Sequence, residues 1–247
     1  MPPSVNNDFY DDLGERWFED DSHAIALLRA EGHAKTDYVR GVLAACDVPR
    51  DGRILDVACG AGLVALPLAA DGYRVHGVDL AAGALDVARR RVPEGHAATF
   101  AVADAAALPD ADASYDAVLL LDVLEHVESV PALLAEAARV VKPGGPVIFN
   151  TFNRTPLAAV VAVHGFRFVT RDAPANVHVA RYFVPPASLR ASAAYVGLRV
   201  AETRGLRPRL DGPFWRSVAR RRVDPDFRFT FTRSQAVGYI GYAVREA

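Results

Sequence analysis

The chain has 247 residues, of which 51% are hydrophobic and 23% are charged. This is an ordinary composition for a globular protein with a substantial core. The formal net charge of -2 disfavours nucleic acid as the main ligand. The longest apolar run, at residues 157–163, is far too short to span a membrane. The two cysteines and the polar start of the chain, which lacks the pattern of a signal peptide, favour a cytoplasmic location.

Strand-like and helical patterns alternate through the first 150 residues. Two helices are predicted at residues 9–16 and 24–45, and we expect them to form an N-terminal helical cap over residues 1–50. Apolar strand patterns follow at residues 53–57, 73–78, 99–103, 116–121 and 146–150. Helical patterns lie between them at residues 63–70, 82–91 and 131–140. This alternation predicts an α/β fold with a doubly wound parallel sheet and helices on both faces.

The alternation stops after residue 150. Residues 151–184 show no clear period, and we expect them to form an insertion that acts as a lid or contacts substrate. A helix is predicted at residues 185–195, and strands are predicted at residues 197–202 and 237–244. These two strands complete a mostly parallel, seven-stranded sheet within a single domain that spans residues 1–247.

The most informative motif follows the first predicted strand. Asp56 lies at its end, and the short loop that follows contains Ala58, Cys59, Gly60 and Gly62. The glycines supply the backbone freedom of a tight turn, and the next helix directs free N–H groups at the loop. A buried carboxylate also needs partners, which these N–H groups or a cationic ligand would supply. The loop therefore predicts a cofactor site rather than a plain connection.

A second acid supports this interpretation. Asp79 ends the next predicted strand, roughly 20 residues after the loop, where an acid accepts hydrogen bonds from ribose hydroxyls in dinucleotide-binding folds. Asp is also a preferred N-cap residue, so Asp79 could instead cap the following helix. Both roles are compatible, because the carboxylate has two oxygens.

The segment D-x-A-C-G-x-G at residues 56–62 resembles motif I of the class I methyltransferases, which use S-adenosylmethionine (SAM) and have a Rossmann-like fold. The resemblance implies SAM as cofactor. In those enzymes an acid after the third strand contacts the amine of adenine and the next N–H contacts its ring, as Asp104 and Ala105 would here; a plain turn is the alternative for Asp104. The implied cofactor-binding residues are Lys35, Asp56, Ala58, Cys59, Gly60, Gly62, Asp79, Leu80, Asp104, Ala105 and Leu121.

A cluster of acids and a histidine follows the fourth predicted strand. If residues 122–126 form one helical turn, Asp122, Glu125 and His126 share a face. Carboxylate oxygens suit Mg²⁺, and a histidine completes such a site or acts as a base. These residues are our candidates for both catalysis and metal binding. The alternative is a structural or substrate-contact role without metal.

A narrower resemblance extends over most of the chain. The segments D-x-x-E-H-V at 122–127, F-N-T-F-N-R-T at 149–155 and V-H-V-A-R-Y-F-V-P-P at 177–186 resemble the ubiquinone-biosynthesis O-methyltransferases. The resemblance implies methylation of a catechol-type hydroxyl, and, as in the metal-dependent members, Mg²⁺ bound by Asp122, Glu125 and His126. It also implies that Lys35, at a position where the family has Arg, meets the cofactor's carboxylate.

We therefore predict a SAM-dependent O-methyltransferase acting on a phenolic hydroxyl of a small apolar acceptor, such as a quinone precursor or a secondary metabolite. One alternative is a metal-free methyltransferase acting on another oxygen, a nitrogen or a carbon, with His126 as base. A second alternative is a SAM-binding regulatory protein without catalysis. Residues 156–171 are interpreted as a lid over the substrate pocket or as a weak peripheral contact with the inner membrane surface.

Overall fold

The computed structural model describes residues 8–172 and 177–246. The described residues contain a single eight-stranded sheet with the strand order β3-β2-β1-β4-β5-β8-β6-β7. Strands β1 to β5 are parallel, whereas β8, β6 and β7 are antiparallel to their neighbours. The strands are β1 (Arg53–Val57), β2 (Arg74–Asp79), β3 (Ala98–Val102), β4 (Ala117–Leu121), β5 (Pro146–Phe152), β6 (Leu198–Pro208), β7 (Phe229–Thr232) and β8 (Gly238–Arg245).

Helices cover both faces of this sheet, as the alternating pattern predicts. They are α1 (Arg16–Glu19), α2 (Ile25–Ala45), α3 (Ala65–Ala70), α4 (Ala82–Arg90), α5 (Val130–Val140), α6 (Pro156–Val160), α7 (Phe166–Val169), α8 (Pro186–Tyr195) and α9 (Gly212–Arg220). Single turns of 3-10 helix occur at Asp8–Tyr10 and Ala180–Tyr182, and Val161–Gly165 is π-helical.

The centre of the sheet determines where a ligand can bind. All five residues of β4 are buried, as is β1 after Arg53, because apolar side chains from both faces pack in separate clusters. The direction in which strands are added reverses between β1 and β4. From β1 the chain adds β2 and β3 on one side of the sheet, and it then returns to add β4 and β5 on the other side. A doubly wound sheet leaves a crevice at such a point, beyond the carboxyl ends of the strands.

Two differences from the predicted elements concern the N-terminus and the sheet. The helix predicted at residues 9–16 is a 3-10 turn followed by the short α1, because Gly14 adopts a φ of +52° between them. The sheet has eight strands rather than seven. The additional strand β7 (Phe229–Thr232) pairs with the outer half of β6, which continues to Pro208. Its alternating Phe and Thr residues suit a half-buried edge strand.

The tail of the chain packs beside the 151–184 insertion. Val169 of α7 belongs to a buried cluster with Val223 and Phe227, and Phe214 of α9 packs against that cluster. Ala26 and Ala30 of α2 complete it. The insertion and the segment 204–233 therefore share one small core next to α2. Across both described stretches of chain, no helix combines the length and apolar composition needed to cross a bilayer.

Candidate functional site

A cavity of about 680 Å³ opens at the carboxyl ends of the first four strands. Two of the three candidate catalytic residues, Asp122 and His126, line it. Among the cofactor-binding residues predicted from the sequence, Gly62 does not line the cavity. The ten that do are Lys35, Asp56, Ala58, Cys59, Gly60, Asp79, Leu80, Asp104, Ala105 and Leu121.

The loop after β1 is shaped by backbone conformations that favour glycine. Gly60 has a φ of +52° and Gly62 a φ of +79°. A Cβ atom added to Gly60 would lie 2.7 Å from the Trp17 ring, a distance that real Cβ atoms essentially never show. Gly60 is therefore required both for its left-handed backbone and for the close approach of Trp17.

Asp79 holds this loop in place. Its Oδ2 accepts a hydrogen bond from the N–H of Gly60 at 2.8 Å, and its Oδ1 accepts one from Ala81 at 2.9 Å. Burial raises the pKa of Asp79, although both hydrogen bonds oppose the shift. Helix α4 begins at Ala82 without a side-chain cap, so Asp79 does not act as its N-cap. It joins the loop to the end of β2.

The cavity carries an excess of acidic groups. Burial, together with the charges of Asp79 and Asp122, raises the pKa of Asp56 to about 7, while Lys35 opposes the shift. Acidic groups beside a buried lysine suit a ligand that carries both positive charge and a carboxylate. SAM has a sulfonium, an ammonium and a carboxylate, so the residues present fit this cofactor.

Lys35 is the cation of this site and is only 1% exposed. Its Nζ contacts the Asp122 carboxylate and lies 3.2 Å from Oε2 of Glu31. Burial alone would lower the pKa of Lys35, but the two carboxylates raise it. For the Glu31 carboxyl group, burial has the opposite effect and raises the pKa to about 7. The sequence did not single out Glu31, although its position one helical turn before Lys35 was a usable signal.

Residues at the N-terminus also line the cavity, although none was predicted to do so. Tyr10 and Trp17 stack with ring centroids 5.7 Å apart, and Trp17 is only 3% exposed. The indole N–H of Trp17 donates to the Tyr10 carbonyl oxygen at 3.4 Å. Asp11 accepts a 2.6 Å hydrogen bond from the N–H of Gly83 at the start of α4. The N-terminal segment is thus joined to the cofactor cavity by packing and hydrogen bonds.

The segment after β4 is a turn and not a helix. Asp122 adopts a φ of +56°, and the N–H of His126 donates to the carbonyl of Val123 at 2.9 Å. Because the helical turn is absent, Asp122 does not share a face with Glu125 and His126. It pairs instead with Lys35 of α2.

Glu125 and His126 lie close to a third residue, His178. A nitrogen from each imidazole and a carboxylate oxygen of Glu125 lie within 4.8 Å of one another. Glu125 does not line the cavity; it is 1% exposed and accepts a hydrogen bond from Thr151 Oγ1 at 2.7 Å. Burial and the Asp122 charge raise its pKa to about 8. Burial lowers the pKa of His126 to about 4, which leaves a neutral imidazole.

His178 comes from the insertion, and the sequence assigned it no role although it lies within the segment 177–186. Its Nδ1 lies 2.9 Å from the carbonyl oxygen of Ala162 in the π-helical turn. Its ring lies 5.8 Å from that of His126 and 4.8 Å from that of Phe152, between centroids. The insertion therefore places a side chain next to His126, which lines the cavity.

Comparison with known proteins agrees with this geometry. Residues 55–149 match the family model of a methyltransferase domain. The ubiquinone biosynthesis O-methyltransferase of Xanthomonas axonopodis pv. citri is 32% identical over 235 residues, which cover 94% of this chain and 90% of that protein. The enzyme of the same name from Azorhizobium caulinodans is 35% identical over 206 residues, with coverage of 80% and 81%.

Solved structures show the same fold. Magnesium protoporphyrin IX methyltransferase from Synechocystis PCC 6803 with bound S-adenosylhomocysteine (SAH) gives a TM-score of 0.60 at 23% identity, covering 87% of this chain and 84% of that one. A putative methyltransferase in complex with the Trm112 activator of Haloferax volcanii gives 0.63 at 18% identity, with coverage of 98% and 100%. The chain thus belongs to the SAM-dependent class I methyltransferases, and the ubiquinone biosynthesis O-methyltransferases are among its relatives in sequence.

Proposed function

We propose that this SAM-dependent methyltransferase transfers its methyl group to a phenolic, catechol-type hydroxyl of an apolar acceptor, such as a quinone precursor or a secondary metabolite. The relatives in sequence carry the name of an O-methyltransferase of ubiquinone biosynthesis. The observation that carries the proposal is the group of Glu125, His126 and His178 at the edge of the cofactor cavity. Chemistry that activates a hydroxyl is needed there, because a phenol with a pKa near 10 is a poor nucleophile at neutral pH.

The cofactor supplies a methyl group on a positive sulfonium. We assign Asp79 to the ribose hydroxyls, Asp104 and Ala105 to the adenine, Lys35 to the carboxylate and Asp56 to the ammonium. These contacts would fix the cofactor along the strand ends, close to the turn after β4. Methyl transfer is an in-line displacement, so alignment of cofactor and acceptor contributes much of the rate.

A divalent ion such as Mg²⁺ would supply the remaining activation, because coordination lowers the pKa of a bound hydroxyl. Glu125 and His126 are the candidate ligands, with Asp122 as the third residue predicted from the sequence. The site fits an ion, because Oε1 of Glu125 is buried and accepts no hydrogen bond from the residues that the structure describes. The chain's own part is to hold the Glu125 carboxyl group and the neutral His126 imidazole beside the cofactor.

The test is an assay with purified protein, SAM and two matched acceptors, an alkyl-substituted catechol and the corresponding monophenol. We expect methylation of the catechol, detected by mass spectrometry, and its loss in excess EDTA. Glu125→Gln and His126→Ala should lower turnover by about 100-fold or more, with SAM affinity unchanged in calorimetry. Glu128→Gln is the control, because Glu128 is exposed in the same turn region.

Two results would count against the proposal. Full activity in excess EDTA, together with loss of activity in His126→Ala, would select the metal-free mechanism with a histidine base. Tight SAM binding without turnover over a broad panel of phenols, amines and carbon nucleophiles would favour a regulatory protein.

We further propose that residues 156–171 bring the protein to an apolar acceptor at a membrane surface. Leu157 and Val160 of α6 are 53% and 59% exposed, and Phe168 of α7 is 66% exposed. Arg167 and Arg171 lie exposed in the same segment, and basic residues favour anionic lipid. Co-sedimentation with phosphatidylglycerol vesicles should fall when Phe168 and Leu157 are changed to Ser. Unchanged sedimentation would favour the role of a lid.

A further inference from the structure

The buried lysine of the cofactor cavity has a second carboxyl partner that no step of methyl transfer requires. We propose that Glu31 limits how tightly the protein holds SAM and its product SAH, by sharing the Lys35 ammonium with the carboxylate that both ligands carry. Glu31 is thus a positioning residue that acts through Lys35. The inference rests on the role of Lys35 in the proposed function, but ligand binding can be measured without any acceptor.

The positions of the three charged side chains support this role. Glu31 and Lys35 lie one turn apart on α2, so their side chains share a face of the helix. Oε2 of Glu31 lies 3.2 Å from the lysine Nζ, and the Asp122 carboxylate contacts the same atom. Lys35 and Asp122 line the cavity, whereas Glu31 does not. A ligand in the cavity can therefore displace Asp122 from the ammonium, while Glu31 stays in place behind it.

The balance of charge makes a further carboxylate on this lysine unfavourable. Without ligand, one ammonium already faces two carboxyl groups. The carboxylate of SAM or SAH adds another negative group at the same atom, and like charges a few ångströms apart repel each other. Lys35 is buried and the Glu31 side chain is only 15% exposed, so water screens the repulsion weakly. An ionised Glu31 therefore weakens the attraction between Lys35 and the ligand.

The environment of Glu31 indicates a role other than stability. Burial raises its pKa to about 7, although the Lys35 charge opposes the shift. Its ionised form is therefore less favourable in the folded protein than in the unfolded chain. Carboxyl groups perturbed in this way are common at functional sites. Glutamine, which has the same shape without the charge, should be tolerated at this position.

Weaker retention has its main consequence for the product. SAM and SAH share the adenosine, the ammonium and the carboxylate, and they differ in the methyl group and the charge on sulfur. Contacts with the shared groups hold both ligands and do not favour the transition state. A very tight hold on these groups would delay the release of SAH after methyl transfer. By weakening one shared contact, Glu31 lets SAH leave faster at some cost in affinity for SAM.

Calorimetry on the full-length protein tests the inference. SAM, SAH and decarboxylated SAM are titrated into the wild-type protein and Glu31→Gln at about pH 8, where Glu31 is mostly ionised. We expect SAM and SAH to bind the variant about threefold to tenfold more tightly. Decarboxylated SAM should gain no affinity, because it has no carboxylate for Lys35. A purely structural role of Glu31 would affect all three ligands alike.

Kinetic measurements give a second readout. Displacement of radiolabelled SAH by excess SAM reports the dissociation rate of the product. This rate should fall in Glu31→Gln by a factor similar to the gain in affinity, because changes within one binding site act mainly on dissociation. In initial-rate assays the KM for SAM should fall, whereas kcat should not rise.

Asp37→Asn is the matched control, because it removes a negative charge from an exposed position on the same helix. The Asp37 side chain is 74% exposed and pairs with Arg40, and neither residue lines the cavity. The affinities for SAM and SAH should change by less than about twofold in this variant. Thermal unfolding reports whether each variant is folded. Glu31→Met, which also removes the charge, replaces Glu31→Gln if the latter does not fold.

The outcomes separate this inference from the proposed function. Weaker binding of SAM and SAH to Glu31→Gln would overturn the inference, because Glu31 would then support the contact between Lys35 and the ligand. Unchanged affinity would overturn it as well. Tighter binding without methylation of any catechol would support the inference and reject the proposed acceptor. Methylation of a catechol, with unchanged SAM and SAH affinity in Glu31→Gln, would do the reverse.

Discussion

The ammonium of Lys35 contacts the carboxylate of Asp122 inside the cofactor cavity, and both residues line that cavity. Lys35 is 1% exposed and also lies 3.2 Å from Glu31. One buried cation thus balances two carboxylates. In the complex with SAM, the proposed partner of Lys35 is the carboxylate of the cofactor. Asp122 and SAM therefore compete for the Lys35 ammonium.

Replacing Lys35 with Met should therefore destabilise the protein and weaken SAM binding. Removing one partner of a buried pair costs about 3–5 kcal/mol, because the remaining charges are left without a counter-charge. We expect the free energy of unfolding in urea to fall by that amount. Loss of a charge-assisted hydrogen bond should weaken SAM binding by about tenfold or more, measured by calorimetry.

The other lysine of the chain provides the control. Lys142 pairs with Asp116 at 2.6 Å, but its side chain is 46% exposed. Lys142→Met should therefore cost less than about 1 kcal/mol. Equal stability losses in the two variants would contradict the role of Lys35 as a buried counter-charge.

The raised pKa of Asp56 predicts that SAM affinity depends on pH. Asp56 is neutral in the free protein below its pKa of about 7, and only its ionised form attracts the cationic cofactor. Affinity should therefore fall as the pH falls from 7 to about 5.5, by up to about tenfold per pH unit. Calorimetry across this range should show the slope.

Variants identify the group responsible for this slope. Asp56→Asn should flatten it, whereas Glu31→Gln, which removes another carboxyl group with a pKa of about 7, should retain most of it. A slope that persists in Asp56→Asn would assign the effect to another group, such as Asp79, whose pKa burial also raises.

The same shift predicts how Asp56 affects stability without the cofactor. Between about pH 4 and pH 7, the Asp56 carboxyl group is protonated in the folded state but ionised in the unfolded state. Stability due to this group is therefore fully present below the unfolded pKa and is lost as pH rises through about 7. Thermal unfolding of wild-type protein and Asp56→Asn at pH 6 and pH 8 should show that the variant's relative stability increases at the higher pH.

A fourth prediction concerns the loop glycine. Gly60→Ala introduces a Cβ at a φ of +52°, and that atom would lie 2.7 Å from the Trp17 ring. The left-handed backbone costs roughly 1–2 kcal/mol for a residue with a Cβ, and the contact adds further strain. We expect a lower unfolding temperature and SAM binding weakened by about tenfold or more.

The steric part of this effect can be measured separately. Gly144 has a φ of +78°, and a Cβ atom added to it would meet no atom of the described residues within 4 Å. Gly144→Ala therefore reports the backbone cost alone. The double variant Gly60→Ala, Trp17→Ala should lose less stability than the sum of the two single variants. If the stability losses of the two single variants add up to that of the double variant, the Cβ at position 60 does not clash with Trp17.

Local sequence patterns were sufficient for the parallel half of the fold and for most of the cofactor cavity. The segments between residues 53 and 150 lie in or against a sheet that is buried on both faces. Each segment therefore has its own apolar pattern, which can be recognised without knowing its neighbours. The glycine loop and Asp79 are likewise local signals, since both follow strand ends that a parallel sheet brings to the same edge. Strand β7 (Phe229–Thr232) was missed because a short edge strand leaves only a few alternating residues.

The tertiary structure alone decided which side chains meet across the cavity. Asp122, Glu125 and His126 are neighbours in the chain, yet Asp122 adopts a positive φ and its carboxylate pairs with the buried Lys35. His178 joins them instead, from a distant insertion with no periodic pattern. Pairing of buried charges and donors depends on which segments pack together, and that is a property of the whole fold and not of any one stretch of sequence.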